Sequence, residues 1–422
     1  MAKYRRLRGT QDILPGEIEK WLHLESIVRT EMAHFNYKEV RTPVFELTDL
    51  FSRGIGQLTD IVTKEMYTFQ DRGKRSITLK PEMTAPIIRA YIENAMSAQS
   101  PLNKLYYIAP LFRQENPQAG RLRQFHQFGA EALGSPGAEV DFEIILLLLQ
   151  ILDKLGISDL GLQVNSVGDA SCRETYKKNL KKYFEPLLDE YCPDCRTRFT
   201  TNPMRILDCK NSGCITRNQN APKITDHLCQ ACSEHFESLC TLLEQTGIEF
   251  TINPRLVRGL DYYTRTVFEI NNRHLGSQDA LGGGGRYDLL CRQLGGPEVP
   301  AVGFAAGIER VLMVYDTLNS EIPAQKGLDI YLIPLGSSAQ KSTPIWINKF
   351  RAIGLNADQD YLKRSLKAQM REANKQNARL ALILGDNEIN DHIFAIKEMA
   401  TGRQEEIPFS EIERYLKKYF NA

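Results

Sequence analysis

The chain has 422 residues, of which 42% are hydrophobic and 25% charged, a composition that excludes disordered and collagen-like proteins. The 53 Lys and Arg residues nearly balance the 52 Asp and Glu residues, so no overall field gathers nucleic acid or membrane. The longest apolar stretch, residues 144–152 (IILLLLQIL), is too short to cross a bilayer, and the start MAKYRRLRGTQD lacks a signal-peptide core. We therefore expect a cytoplasmic protein of about three domains with no membrane partner.

A long antiparallel hairpin is predicted for residues 104–133, because two strand patterns flank a polar loop. On the returning strand, the period of two places four residues on one face: Phe125, Gln127, Gly129 and Glu131. This face suits a small polar ligand, because a carboxylate buried in a core would need a partner. A solvated hairpin with incidental charges is the alternative.

Candidate ligands also flank this hairpin. Arg113 ends the outgoing strand, and Arg121 and Arg123 lie in the loop, where their forked donors suit phosphate. Upstream, Glu82 and Thr84 come just before a predicted helix. Capping of that helix is a strong alternative for Thr84 and a weaker one for Glu82.

Eight of the nine cysteines lie in a segment with helical patterns, which we interpret as a module inserted at about residues 171–248. Two pairs there, Cys192/Cys195 and Cys229/Cys232, have zinc-knuckle spacing but are separated by 33 residues. We favour buried, reduced cysteines over a structural zinc ion, and disulfides are less expected still in a cytosolic protein.

Residues 250–317 combine strand signals with a glycine run. In the segment LVRGLDYYTRTVFEI, Arg258 precedes Tyr262 and Tyr263 on a strand-like pattern, so at most one of the two tyrosines should line a given pocket face. The four glycines at 282–285 permit close approach of the backbone but match no phosphate-binding P-loop.

A helix predicted to begin near Gly307 carries Arg310 in its first turn. A cation there opposes the positive end of the helix dipole by ~0.3–1 kcal/mol, unless an anion lies beside it or Glu309 offsets it. We therefore expect an anionic ligand near Arg310.

The C-terminal part is predicted to form an α/β domain over residues 328–422, preceded by a polar linker at 319–327. Short apolar runs typical of buried parallel strands alternate there with helical patterns. One predicted helix carries basic residues at intervals of four, Lys363, Lys367, Arg371 and Lys375, beside an apolar stripe of Leu362, Leu366 and Met370. The basic stripe suits a phosphate backbone, although a merely solvated face is the alternative.

In this order the motifs resemble those of the histidyl-tRNA synthetases, a family of class II aminoacyl-tRNA synthetases, over essentially the whole chain. The segments that carry the resemblance are RGTQDILP, FNYKEVRTPVFE, KPEMT, FRQENPQAGRLRQFHQ, LVRGLDYYTRTVFE, GGGRYD and GFAAGIER. The fold it implies is α+β. An antiparallel sheet flanked by helices forms a class II catalytic domain of residues 1–318, with the helical module inserted, and a C-terminal α/β anticodon-binding domain follows. A homodimer formed through the FNYKEVRTPVFE motif is also implied.

The resemblance implies a histidine–tRNA ligase that uses ATP with Mg²⁺ to activate L-histidine and transfers it to the 3′ end of its tRNA. It assigns the histidine α-amino group to Glu82, Thr84 and Gln127, and the imidazole to Glu131, Tyr262 and Tyr263. Arg113 would hold the ATP α-phosphate and the substrate carboxylate, with Arg258 opposite it. The resemblance also assigns the terminal phosphates to Arg121 and Arg310, adenine to Glu115 and Phe125, and tRNA contacts to Gln118 and Arg123.

Two other functions stay open at this point. One is a regulatory subunit of ATP phosphoribosyltransferase, which shares the fold without aminoacylation; the intact arginines Arg113, Arg258 and Arg310 argue against it. The other is a zinc-dependent nucleic-acid-binding protein centred on the cysteine module.

Overall fold

The computed structural model describes residues 4–56, 59, 61–118, 120–275, 280–318 and 327–420. The chain divides into two units, Met1–Ile322 and Pro323–Ala422. The predicted linker at 319–327 lies outside the described residues except for Gly327. Across the described ranges, every helix is too short or too polar to span a bilayer.

The first unit is built on an eight-stranded sheet. Its strands, together with those of a small second sheet, are β1 (Lys38–Glu39), β2 (Phe45–Leu47), β3 (Thr68–Gln70), β4 (Ser76–Leu79), β5 (Asn103–Phe112), β6 (Gln124–Leu133), β7 (Leu160–Ser166), β8 (Phe250–Ile252), β9 (Thr264–Asn272), β10 (Ala280–Arg286) and β11 (Ala301–Gly307). The large sheet has the order β1-β5-β6-β11-β10-β9-β7-β8, and β2, β4 and β3 form the small one.

This sheet confirms the predicted class II fold, with one difference at its edges. The six inner strands pair antiparallel, whereas β1 pairs parallel with β5 and β8 pairs parallel with β7. Parallel neighbours need a long crossover connection, and the chain supplies one at each edge. Between β7 and β8 that connection contains the cysteine-rich segment.

Helices flank the sheet. They are α1 (Ile18–His34), α2 (Thr48–Ile55), α3 (Thr84–Glu93), α4 (Met96–Gln99), α5 (Ala138–Lys154), α6 (Ala170–Phe184), α7 (Pro193–Thr201), α8 (Ser212–Arg217), α9 (Gln230–Gln245), α10 (Leu290–Gln293) and α11 (Ile308–Thr317). The apolar run at 144–152 lies in α5, where six of its residues are buried in the main core with side chains of α1, α9 and α11. A helix that is apolar around most of its circumference is stable only when other elements cover it.

The predicted hairpin is present as β5 and β6, which pair antiparallel from Asn103 opposite Leu133 to Phe112 opposite Gln124. The predicted division of faces also holds. Phe128 and Ala130 point into the main core, while Gln127 and Glu131 line a cleft on the other side of the sheet.

The second unit is an α/β domain, as predicted. A five-stranded sheet in the order β13-β12-β14-β15-β16 is formed by β12 (Ile330–Pro334), β13 (Ala357–Gln359), β14 (Leu380–Leu384), β15 (Ile393–Glu398) and β16 (Gln404–Pro408). Its helices are α12 (Ser337–Ala352), α13 (Leu366–Lys375), α14 (Asp386–Asn390) and α15 (Ile412–Phe420). The strands β13, β12 and β14 are parallel, and β15 and β16 are antiparallel.

The predicted stripes on α13 are partly wrong. Lys363 precedes the helix with a φ of 56°, and Leu362 and Leu366 are 73% and 41% exposed instead of packed. The carboxylate of Asp360 accepts hydrogen bonds from the backbone N–H and Nε of Arg364. Because of this turn, the helix begins only at Leu366, and Gln369 and Ala373 are buried instead of the leucines.

Candidate active site

A cleft of about 980 Å³ opens on the face of the large sheet opposite α5. Such a volume is at the upper end of small-molecule sites. Twelve of the residues predicted from sequence line it, namely Glu82, Thr84, Arg113, Glu115, Arg121, Phe125, Gln127, Glu131, Arg258, Tyr262, Tyr263 and Arg310. Gln118 lies beside the cleft, where it pairs with Arg121 through the backbone, and Arg123 lies nearby, where its Nε donates to the carbonyl of Glu115.

The first turn of α3 is capped by Glu82. Its carboxylate accepts hydrogen bonds from the backbone N–H groups of Thr84 at 2.8 Å and Ala85 at 2.9 Å. Thr84 itself is the first helical residue, and its hydroxyl donates to Oε1 of Glu131 at 2.8 Å. The interpretation of Thr84 as the N-cap is therefore wrong, because its side chain is directed towards another carboxylate.

Glu131 is fully enclosed at the base of the cleft. Besides the bond from Thr84, its other carboxylate oxygen accepts a hydrogen bond from the hydroxyl of Tyr287. Burial raises the pKa of Glu131 to about 8, although these two hydrogen bonds oppose the rise. A Cβ on Gly303, which pairs with Glu131 across the sheet, would lie 1.7 Å from the carboxylate, so only glycine leaves room for this acid.

Tyr262 and Tyr263 both line the cleft, with ring centroids 4.8 Å apart. The expectation that only one of them would do so is wrong, because strand β9 begins at Thr264 and both tyrosines lie in the loop before it. Alternation of side chains applies only within the pleated strand.

Arg258 is held in place from two sides. Its NH1 is 2.6 Å from Oε2 of Glu269, and NH1 of Arg205 in the cysteine-rich segment donates to its carbonyl at 3.0 Å. Burial lowers the pKa of Arg258, but Tyr263 and Glu269 outweigh burial and leave that pKa above its ordinary value. The glycine run gives the guanidinium room, since a Cβ on Gly283 would lie 3.0 Å from NH1.

Three further guanidinium groups lie close together. Nε of Arg113 donates to the carbonyl of Pro81 at 3.0 Å, and its guanidinium stacks 5.2 Å from the ring of Phe125. Arg310 donates to backbone carbonyls, while Arg121 faces Glu115 at 3.4 Å. Burial lowers the pKa of Arg310, and Arg121 and Arg113 lower it further. This clustering of positive charge fits an anionic ligand.

Comparison with known proteins identifies the group to which this architecture belongs. Residues 9–172 and 204–311 match the family model of histidyl-tRNA synthetase, and residues 329–419 match that of an anticodon binding domain. The chain belongs to the histidyl-tRNA synthetase family.

Individual relatives agree with this assignment along the whole chain. A histidine–tRNA ligase of Caldanaerobacter subterraneus is 48% identical, over 97% of this chain and 98% of the relative. One of Moorella thermoacetica is 46% identical over 98% of each chain. The crystal structure of apo S. aureus histidyl-tRNA synthetase has a TM-score of 0.82 at 39% identity and covers 98% of this chain and 100% of that one.

The prediction of a histidine–tRNA ligase rather than a regulatory subunit is confirmed by these full-length relatives. A Bacillus halodurans structure described as an ATP phosphoribosyltransferase regulatory subunit/histidyl-tRNA synthetase has a TM-score of 0.63 at 20% identity. At that identity it is evidence for a shared fold alone.

Lining residues of this synthetase-family cleft that were missed from sequence include Tyr107, Arg205, Glu269 and Tyr287. For three of these four a signal was present. Tyr287 belongs to the GGGRYD segment and Glu269 to the LVRGLDYYTRTVFE segment. Tyr107 pairs with Gly129 across the hairpin, where a Cβ on the glycine would lie 2.4 Å from the tyrosine hydroxyl. Arg205 reaches the cleft from a distant part of the sequence and left no local signal.

The two CxxC pairs do not come together. Cys192 and Cys195 group with Cys209 and Cys214, whereas Cys229 and Cys232 group with Cys172 and Asp169. The sequence spacing suggested one set of four ligands because it could not indicate which other side chains the fold would bring to each pair. All nine cysteines are free thiols.

Proposed function

We propose that the cleft binds L-histidine beside ATP with Mg²⁺, joins them as histidyl-adenylate, and then transfers histidine to the 3′-terminal ribose of its tRNA. The observation that carries this assignment is the proximity of an acidic pocket to a basic cluster in one cleft. The acids Glu82 and Glu131 interact through Thr84, and Arg113 lies close enough to Glu82 to lower the pKa of that carboxyl against the larger effect of burial.

The acidic pocket suits an amino acid with a basic side chain. In the proposal, Glu82, Thr84 and Gln127 receive the α-ammonium group, while Glu131, Tyr262 and Tyr263 surround the imidazole. Buried carboxyls whose pKa values are raised gain most from a cationic ligand, since its charge replaces the lost hydration.

The basic cluster suits the triphosphate. An oxygen of the histidine carboxylate attacks the α-phosphorus, and the bond from that phosphorus to the bridging oxygen breaks and releases pyrophosphate. Arg113 and Arg258 neutralise the charge on the α-phosphate, while Arg121 and Arg310 hold the terminal phosphates and Glu115 and Phe125 hold adenine. Since no proton has to move in this step, catalysis consists of alignment and charge stabilisation.

The carboxylates available in the cleft fit a hard cation bound mainly through phosphate oxygens and water. Glu115 and Glu269 line the cleft, and each already faces an arginine, so neither belongs to a closed cage of protein ligands. Bound Mg²⁺ would supply additional neutralisation of phosphate charge.

Contacts with tRNA are proposed on both units. Gln118 and Arg123 would meet the acceptor end beside the cleft. On the anticodon-binding domain, Lys363, Lys367 and Arg371 are exposed and suited to phosphates.

We also propose a homodimer formed through residues 35–46. The proposed domain boundaries are 1–318 for the catalytic domain, about 171–248 for the module inserted in it, and 328–422 for the anticodon-binding domain.

Pyrophosphate exchange tests the proposal directly. The protein is incubated with ATP, Mg²⁺ and labelled pyrophosphate, together with each amino acid in turn. We expect label to enter ATP with histidine alone. Exchange with a different amino acid, or with none, would overturn the proposal, and charging of histidine tRNA under the same conditions tests the second step.

A further inference from the structure

Eight side chains, seven in the inserted segment and one, Asp169, just before it, form two compact groups of potential metal ligands. The all-thiol cluster consists of Cys192, Cys195, Cys209 and Cys214, and the mixed cluster consists of Asp169, Cys172, Cys229 and Cys232. Within each group, the four ligand atoms all lie within 4.8 Å of one another. We propose that each cluster binds one zinc ion, so that the chain holds two structural zinc ions beside its active site.

The all-thiol cluster joins three parts of the segment. Cys192 immediately precedes α7 and Cys195 lies in its first turn, while Cys209 lies in the following loop and Cys214 in α8. Sγ of Cys192 is 3.8 Å from Sγ of Cys209, and the backbone N–H of Cys192 is directed at Sγ of Cys214 at 3.4 Å. Backbone donors aimed at sulfur stabilise the thiolate form that a metal requires.

The mixed cluster joins the starts of two long helices that are far apart in sequence. Asp169 caps α6 and Cys172 lies in its first turn, while Cys229 and Cys232 stand in the same positions at α9. The backbone N–H of Cys229 donates to Sγ of Cys172 at 3.0 Å, and its thiol lies 3.5 Å from Oδ2 of Asp169. This repeats the pattern of the all-thiol cluster, with one carboxylate in place of a thiol.

These dimensions select a single tetrahedral ion. With Zn–S bonds of about 2.3 Å, the sulfurs at the corners of a tetrahedron are about 3.8 Å apart. That equals the separation between Cys192 and Cys209. An iron–sulfur cluster places several atoms between its cysteines and needs a wider site, and a disulfide would bring two sulfurs to about 2.05 Å. Soft thiolate ligands in this geometry favour Zn²⁺ over the harder Mg²⁺ or Ca²⁺.

The alternative is that the thiols are simply buried as small hydrophobes. Core cysteines of that kind have no reason to converge four at a time, nor to include a carboxylate. Asp169 is the informative member, since one of its carboxylate oxygens caps α6 while the other, Oδ2, lies 3.5 Å from the sulfur of Cys229. In addition, the elements around the all-thiol cluster are short: α8 has six residues and the neighbouring 3₁₀ turn Pro203–Ile206 has four. Metal ligation commonly stabilises small modules of this type.

Both clusters adjoin segments that hold the loop of Arg258. Arg205, which binds the carbonyl of Arg258, and Asn202, which donates to Asp261 at 3.0 Å, lie between Cys195 and Cys209. Arg173 follows Cys172 and donates to the carbonyl of Tyr263 at 2.8 Å. The cluster ligands are thus positioning residues for the proposed histidine pocket. This part of the inference rests on the proposed function, whereas metal binding itself does not.

Metal content tests the two sites without reference to activity. We expect full-length protein, purified without added metal or chelator, to contain two zinc ions per chain by elemental analysis. Cys192→Ser and Cys229→Ser should each leave one ion, and the double variant none. Cys240→Ser, in α9 but outside both clusters, is the matched control and should retain two. Protein with no zinc, or with iron instead, would overturn the proposal.

Thiol counting covers the case in which a variant fails to fold. In the wild type, a mercurial reagent should release two zinc ions, detected with a zinc indicator, as the seven cluster cysteines react. Asp169→Asn, which keeps the helix cap, should lower the affinity of the chain for one of these ions. Seven thiols reacting without zinc release would contradict both sites. One ion per chain that is lost in Cys192→Ser and kept in Cys229→Ser would refute the mixed site, and the reverse result would refute the all-thiol site.

Discussion

The proposed histidine pocket and the cysteine-rich module meet at Arg258, yet different interactions stabilise each of them. The pocket is built on β6, β9, β10 and β11, strands of seven to ten residues that pair antiparallel in the order β6-β11-β10-β9, with register shifts at two points between β9 and β10. The module has helices, 3₁₀ turns and a small core around Tyr176, Phe184 and Ile206, to which Val267 of β9 also belongs. In the pocket, strand pairing fixes the side chains on β6, Gln127 and Glu131, whereas in the module we propose that eight converging metal ligands take that role.

This contrast shows how a site on the large sheet can depend on a segment, the cysteine-rich module, that contributes no strand to that sheet. The sheet places Glu131 and Gly303 opposite each other through backbone pairing alone. The loop of Arg258 has no such pairing, and its carbonyl is held by Arg205 from the module. We therefore expect changes on the sheet to alter chemistry directly, and changes in the module to act through the position of this loop.

The largest effect is expected for Arg258→Ala. Removing one preorganised positive charge that stabilises developing negative charge on a phosphate typically lowers the rate about 10²–10³-fold. We expect pyrophosphate exchange to fall by at least that factor, while the circular dichroism spectrum stays unchanged. Arg273→Ala, with a side chain 77% exposed, is the control and should retain full exchange. Full activity of the Arg258 variant would remove this residue from the mechanism.

Glu131→Gln tests the cost of the buried acid in the sheet. The pKa of Glu131 rises from 4.5 to about 8 on folding, so between these pH values the folded chain binds more protons than the unfolded chain. Stability contributed by this group is therefore lost as the pH rises towards 8, by up to a few kcal/mol. Denaturant unfolding at pH 5 to 9 should show the wild type losing stability relative to the glutamine variant, whereas exposed Glu298→Gln should show no such trend.

Arg205→Ala tests the contact between the two regions. A hydrogen bond from a charged donor is worth about 1.5–3 kcal/mol, so we expect roughly tenfold or greater loss of exchange, with KM for histidine rising more than KM for ATP. Arg196→Ala, an exposed arginine of the same module, is the control. If both variants behave like the wild type, the module does not position the loop.

The smallest effect on activation is expected from the second unit. The double variant Lys367→Ala/Arg371→Ala should leave pyrophosphate exchange unchanged but weaken tRNA binding and reduce its salt dependence by about one unit of slope per phosphate contact. Lys341→Ala, on α12 of the same unit, controls for the loss of surface charge. An unchanged salt slope would exclude these side chains from the interface.

Much of the cleft could be predicted because strand periodicity is a local property. The face of β6 that carries Gln127 and Glu131 follows from alternation alone. Errors arose where a side chain has a hydrogen-bond partner that periodicity does not indicate, 47 residues away for Thr84 and only four residues away for Asp360. The hydroxyl of Thr84 donates to Glu131, and Glu82 caps α3 instead. The carboxylate of Asp360 accepts hydrogen bonds from Arg364, so that α13 begins later than predicted. Such choices depend on which groups the fold brings within hydrogen-bonding distance.

The sequence by itself determined the class of fold, the family and the polar face of the hairpin, because each of these follows from periodic patterns or from contiguous motifs. Only the tertiary structure decided how the cysteines divide. Cys192 and Cys195 are joined by Cys209 and Cys214, and Cys229 and Cys232 by Asp169 and Cys172. The reason is that α6 and α9 begin side by side although they are far apart along the chain, and spacing along the chain contains no information about that proximity.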